Sequence, residues 1–186
     1  MQSDKRKPTK SHIRAKTSLA KEPIVSSAHL AAGRSAEMSE FEFGLIIASN
    51  AFNRWAVRCM AAAGVKDLTI MDVLVLHHVN HRARQKKLAD IAFILNIEDT
   101  HIVNYSLKKL LSLGLVKTER RGKEVLYSTS EAGQKICQRY FEVRERVLVS
   151  GLTGDGTENF ELAELARFLR VLSGLYDQAA RAATSL

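Results

Sequence analysis

The sequence has little cysteine, little proline and no long apolar run, and each shortage excludes something. Two cysteines in 186 residues, Cys59 and Cys137, rule out a disulfide-stapled scaffold. Each lies in an apolar helical pattern, which predicts a reduced, buried pair in a cytoplasmic protein rather than one disulfide. No stretch approaches the ~18 apolar residues that a membrane-spanning helix needs, so no membrane partner is expected. The N-terminus has no hydrophobic core of the secretory type. Both prolines, Pro8 and Pro23, fall in a polar, basic start; residues 1–36 are predicted to be an unstructured arm. Catalytic signatures are missing too. No Ser, Cys or Lys nucleophile sits in a recognisable motif and no carboxylate pair has catalytic context, so an enzyme is not expected. The glycine cluster from Gly151 to Gly156 lacks the preceding strand and following lysine of a phosphate cradle, and reads as a linker. His77 and His81 stand at i and i+4, but no third ligand joins them, so neither a metal nor a cofactor is predicted.

What the chain has in excess is positive charge. Its formal net charge is +8 and its pI about 9.7, which favours a polyanionic partner. The first 22 residues hold seven cations and two acids, a net +5, and residues 64–127 hold eleven and seven, a net +4. The rest sums to −1. The excess therefore falls on the arm and on the middle of the chain.

That middle carries the most informative stretch, Ile97 to Ser130. Asp99 is placed to cap a helix, because its carboxylate can accept the unpaired amides of a first turn. Val103, Leu107 and Leu110 recur at helical spacing, and Gly114 follows the last turn as a stop. The opposite face shows His101, Asn104, Tyr105, Lys108 and Ser112, with Lys109 on its flank and Thr100 at its start. A helix that is apolar behind and presents amide, phenol, imidazole and ammonium groups in front, with no carboxylate among them, suits the DNA major groove. A strand at residues 115–119, a turn at 120–123 and a returning strand at 124–129 are predicted next. That places Arg120, Arg121 and Lys123 together at a hairpin tip, where a phosphate backbone or a narrow minor groove would relieve their repulsion.

From Leu68 to Gly133 the sequence resembles the winged helix-turn-helix of the MarR family, the multiple antibiotic resistance regulators. The resemblance rests on Thr69 opening a helix and on Leu88-Ala89-Asp90-Ile91-Ala92 in the next. It continues through the recognition-type helix, Leu110-x-x-x-Gly114-Leu115-Val116 and the closing Ser130-Glu131-Ala132-Gly133. There are two departures. Family wings usually hold an Asp-x-Arg pair before the second strand, where this chain has Arg121 and Lys123. The turn Asn96-Ile97-Glu98-Asp99 is about one residue longer than the family's.

Three long helical patterns flank this segment and a shorter one opens it. Ser39 is placed to cap the first, whose broad apolar face includes Phe41 and Leu45 and which stops near Gly64. Thr69 and Asp72 make a capping-box start to a helix ending near Arg82. Ser130 caps a helix reaching about Ser150, and a last helix near residues 158–183 carries Leu165, Phe168, Leu169 and Leu172 in a wide stripe. Such a stripe would stay exposed on a monomer, and pairing across a two-fold axis would bury it.

The predicted fold is mainly α with a small β-hairpin wing: a winged helix-turn-helix plus a helical dimerisation region. The expected organisation is an arm over 1–36, an N-terminal dimerisation helix over 37–66, a DNA-binding domain over 67–130 and C-terminal dimerisation helices over 131–186. Predicted DNA contacts are Thr100, His101, Asn104, Tyr105, Lys108, Lys109, Arg120, Arg121 and Lys123. The predicted dimer interface holds Phe41, Leu45, Leu165, Phe168, Leu169 and Leu172. The expected partners are double-stranded DNA, read as a pseudo-palindromic site, and a second copy of the chain. The resemblance further implies a transcriptional regulator, usually a repressor, released by a small aromatic ligand. By that analogy alone Phe52, Trp55, Cys59 and His77 would line its pocket, and plain core accounts for them equally well. A winged-helix module for protein contacts and a nonspecific DNA-coating protein are the alternatives.

Overall fold

In the computed structural model residues 36–151 and 157–186 are described. The predicted arm and most of the glycine linker fall outside them. Two units divide the chain, residues 1–48 and 49–186.

Helix α1 spans Ala36–Ala62. Ser39 is therefore an interior position and not the predicted N-cap; Ala36, Glu37 and Met38 favour helix and carry it upstream. At its C-terminal end Ala56, Cys59, Met60 and Ala63 are buried. Gly64, at φ +115°, ends the run.

Helix α2, Ile70–Asn80, opens with the predicted capping box: the Asp72 amide donates to Thr69 Oγ1, and the Thr69 amide donates to Asp72 Oδ2 at 2.8 Å. A 3-10 turn follows at His81–Ala83, where Arg82 and Ala83 take φ of +60° and +46°. The basic stretch at 84–87 is partly internal. Lys86 is buried, and its ammonium donates to the carbonyls of Val79 (2.9 Å), His81 (2.6 Å) and Arg84 (3.2 Å). These carbonyls are left open where α2 unwinds, so the lysine satisfies them as a C-cap would. Its backbone also bridges to Tyr127.

Helix α3, Leu88–Ile94, and helix α4, Thr100–Ser112, are joined by a turn in which Asn96 is left-handed at φ +54°. Strands β1, Val116–Arg121, and β2, Glu124–Thr129, form an antiparallel hairpin with Val116 opposite Thr129 and Arg121 opposite Glu124. Helix α5, Glu131–Val147, starts with the Ser130 hydroxyl accepting from the Gly133 amide at 3.0 Å. Helix α6 covers Thr157–Ala183.

One core joins the C-terminal end of α1 with α2 to α5 and the hairpin. Met60 from α1, Leu76 from α2, Ile91 from α3 and Leu107 and Leu110 from α4 are fully buried, with Tyr140 of α5 against them. Gly133 fixes how α5 meets the hairpin: a Cβ there would lie 2.1 Å from the Leu115 carbonyl oxygen, so no side chain fits. Cys59 and Cys137 are free thiols in or beside this core.

Candidate nucleic-acid interface

Helix α4 is two-faced. Asp99 caps it, its carboxylate accepting from the His101 amide at 2.9 Å. Val103, Ser106, Leu107 and Leu110 face inward and are buried. Thr100, His101, Tyr105, Lys108 and Ser112 are exposed, and Asn104 is half-buried beside them. Tyr105 is 72% exposed, with the Lys108 ammonium 5.9 Å from its ring centroid. This edge of cation–π contact leaves both groups facing outward. Ile102 adds an apolar spot, 45% exposed.

The hairpin differs from the predicted one in its ends. Arg120 and Arg121 belong to β1, and the turn is Gly122-Lys123 alone. Gly122 takes φ +64°, as a tight two-residue hairpin requires. Neighbouring strand residues point to opposite faces, so Arg120 and Arg121 diverge instead of sharing one tip. Arg121 is not free either. Its guanidinium donates to Gln85 Oε1 at 3.1 Å and to Glu119 Oε1 at 3.3 Å, while the Gln85 amide donates to Glu119. The carboxylate that positions the wing arginine thus comes from Glu119, two residues earlier on the same strand face. Those donors hold the Glu119 carboxyl below the usual carboxylate range, Gln85 first and then Arg121. Lys87 at the head of α3 pairs with Glu124 of β2.

Residues 68–133 match the model of the winged helix DNA-binding domain family. About three quarters of the chain resembles solved structures at low identity. AbfR of Staphylococcus epidermidis is 22% identical over 74% of this chain and 92% of that one, with a TM-score of 0.61. Reduced AbfR bound to DNA is 21% identical over 73% and 93%, at 0.58. A MarR mutant from E. coli complexed with operator DNA is 17% identical over 73% and 95%, at 0.56. The fold is a MarR-type winged helix. No curated protein matches the chain.

Within the winged helix, one predicted contact lies elsewhere. Lys109 turns back from α4 onto α2, donating to Asp72 Oδ2 at 2.9 Å and to the Asp67 carbonyl at 2.6 Å. Its ammonium is spent on a buried carboxylate and is no longer offered to phosphate. Burial alone would raise the Asp72 pKa, but bonds from the Thr69 backbone, Lys109 and Ser106 outweigh it and hold the group below its ordinary value. The spacing could not reveal this, because the partner lies on another helix.

Of the four residues assigned by analogy to a ligand, Cys59 and His77 both meet Tyr140. Cys59 is buried, its Sγ donating to the Tyr140 carbonyl at 3.6 Å. The His77 ring meets the Tyr140 ring edge-on at 4.3 Å, and its Nε2 is buried with no hydrogen-bond partner. Burial lowers the His77 pKa, so the imidazole is neutral at pH 7. Trp55 packs against the core, while Phe52 is 51% exposed. Burial pushes the Cys137 thiol up to about 11, so it stays protonated and unreactive at neutral pH.

Of the predicted dimer residues, Leu165, Phe168 and Leu169 on α6 are exposed in the single chain, as is Leu45 on α1, and Phe41 is half-buried. Leu172 is the exception and a correction. It is buried within its own chain, near where the Asn96 amide donates to Ser173 and Asp177 of α6. Among the described residues no group of three or more His, Cys, Asp or Glu could hold a metal ion, and no helix is long and apolar enough to cross a membrane.

Proposed function

We propose that the protein is a MarR-family transcriptional regulator, a cytoplasmic homodimer that binds a short pseudo-palindromic operator in double-stranded DNA and represses from it. One observation carries this reading. The outward face of α4 offers an imidazole, an amide, a phenol and an ammonium at successive turns, with a basic hairpin directly after it. Asn104 is the base-reading group, with His101 one turn before it on the same face; Tyr105 adds thymine-methyl or phosphate contact, Lys108 meets phosphate or guanine, and Arg120, Arg121 and Lys123 engage the backbone or minor groove. The exposed α6 stripe is the surface that a second copy covers, which sets two reading helices one helical turn apart. Two of the similar structures hold DNA, AbfR and the MarR mutant, which supports the same use of the fold here. Release by a small ligand completes the proposal.

The test is selection from a random duplex library with the purified full chain. Enrichment of a dyad with two half-sites is the expected result. Binding without any enriched sequence would instead indicate a nonspecific coating protein, and absence of binding a winged helix that contacts protein.

A further inference from the structure

The outer wall of the reading head carries a groove of about 900 Å³ between α2, the 81–86 turn and α3. Its floor and rim are apolar, with Leu74, Leu95, Ile94 at 61% exposed and Phe93 at 82% exposed. Its edge is cationic. Arg82 and Arg84 line it with His78 and His81, against the single acid Asp90. Neither arginine takes part in an ion pair among the described residues. The Phe93 ring is a ridge, because a second cleft of about 630 Å³ opens on its other side. A bare phenylalanine at the crest of a basic groove is the mark of a docking surface for something apolar and acidic.

The chain itself supplies such a partner. The first half of α1 reads AEMSEFEFGLIIASN, with three glutamates and no lysine or arginine before Arg54. Glu40, Phe43 and Ile47 recur at i, i+3 and i+7, which sets one acid and two apolar groups on one helix face. Ile46 and Ile47 are 55% and 54% exposed, and every residue from Gly44 to Phe52 is exposed with no charged group among them. A helix this apolar is not stable in water without a cover.

We infer that the acidic first half of α1 of one copy docks into the basic α2–α3 groove of its partner, with Glu40 toward Arg84 and the Phe43–Ile47 face against Phe93 and Ile94. The inference rests on the homodimer proposed above and goes beyond it, since the partner copy then touches the reading head as well as α6.

A charge-swap cycle in the full chain tests it. By sedimentation equilibrium at low salt, Glu40→Arg and Arg84→Glu should each weaken the dimer about tenfold, and the double variant should recover to within about threefold of the unmodified chain. Singles without effect, or a double variant as weak as the sum of the singles, overturn the inference. A photo-reactive benzoylphenylalanine at position 93 gives a readout independent of folding energy. Its cross-link should map to the 37–47 stretch of the other copy, and one mapping to α6 or to a different protein overturns it. A dimer that ignores the swap sinks this contact alone, whereas a monomeric unmodified chain sinks the homodimer reading with it.

Discussion

The ammonium of Lys109 lies 2.9 Å from the carboxylate of Asp72 and ties the outward-facing helix α4 to the first turn of α2. The carboxylate side chain is only 4% exposed and the lysine 39%, so one partner is desolvated while the other keeps contact with water. The pair therefore works less as a surface ion pair than as satisfaction of a buried acceptor. It orients α4 without occupying the groups that α4 presents.

Lys109→Met should destabilise the fold by about 1–3 kcal/mol, since it removes one donor from a buried carboxylate that keeps its Thr69 bonds. Asp72 is held below its ordinary value of 3.8. A depressed carboxyl contributes stability that is present above the unfolded value and lost as pH falls through the folded one. Acid unfolding of the unmodified chain should thus reach its full extent below about pH 4, and Lys109→Met should move it to higher pH. Circular dichroism against pH reads both, and an unmoved acid transition would remove Lys109 from this role.

Asn104→Ala and Lys108→Ala should differ in kind. An amide paired with adenine N6 and N7 is worth roughly 1–3 kcal/mol of discrimination, so its loss should relax preference at one or two positions per half-site and leave nonspecific affinity intact. Loss of Lys108 should weaken all sequences more evenly. A panel of single-base operator changes decides between them. Uniform loss with Asn104→Ala would pass the reading role to His101.

Arg121→Ala should lower the slope of log affinity against log salt by about one, as one phosphate contact is lost. Thermal stability should barely change, because the side chain is 68% exposed. Glu119→Gln keeps the size of the side chain but loosens the guanidinium. It should weaken specific binding while nonspecific binding rises or holds. If it weakens both alike, Glu119 does not position this arginine.

Gly133→Ala should be strongly destabilising, by about 1–3 kcal/mol or more, because the new methyl overlaps the Leu115 carbonyl and the backbone itself must shift. Thermal denaturation reads the loss. Gly44→Ala, where nothing lies within 4 Å, serves as the neutral or stabilising control.

Leu165→Glu with Leu169→Glu should yield monomers that keep the melting behaviour of the reading head and lose operator binding. Leu172 is left alone in this variant because its burial is internal. A dimer that survives both substitutions would place the interface off α6.

What could be read from the sequence was local. The caps at Thr69, Asp99 and Ser130 each join residues two or three apart, and periodicity alone assigns Val103, Leu107 and Leu110 to the inside. What escaped was either long-range or a matter of one boundary. Lys109 reaches Asp72 across 37 positions, and Leu172 packs inside the chain though its stripe looks uniform. The burial of Lys86 was not legible either, because no sequence signal marks three carbonyls awaiting a donor. The partner of Arg121 was within reach: Glu119 is two residues away, and extending the first strand to Arg121 would have set both on one face.

The bracket around Arg121 has a consequence for how an anion would be taken up. A free arginine loses up to about 2 kcal/mol of rotamer freedom when it is fixed. Here Gln85 and Glu119 have already fixed it, so that loss falls in folding and not in association. The other side of the exchange is that Glu119 must be left behind as an incoming oxygen takes over the guanidinium. The gain is then only the difference between two anions for one cation. Such a residue adds little to the strength of an encounter and much to its geometry.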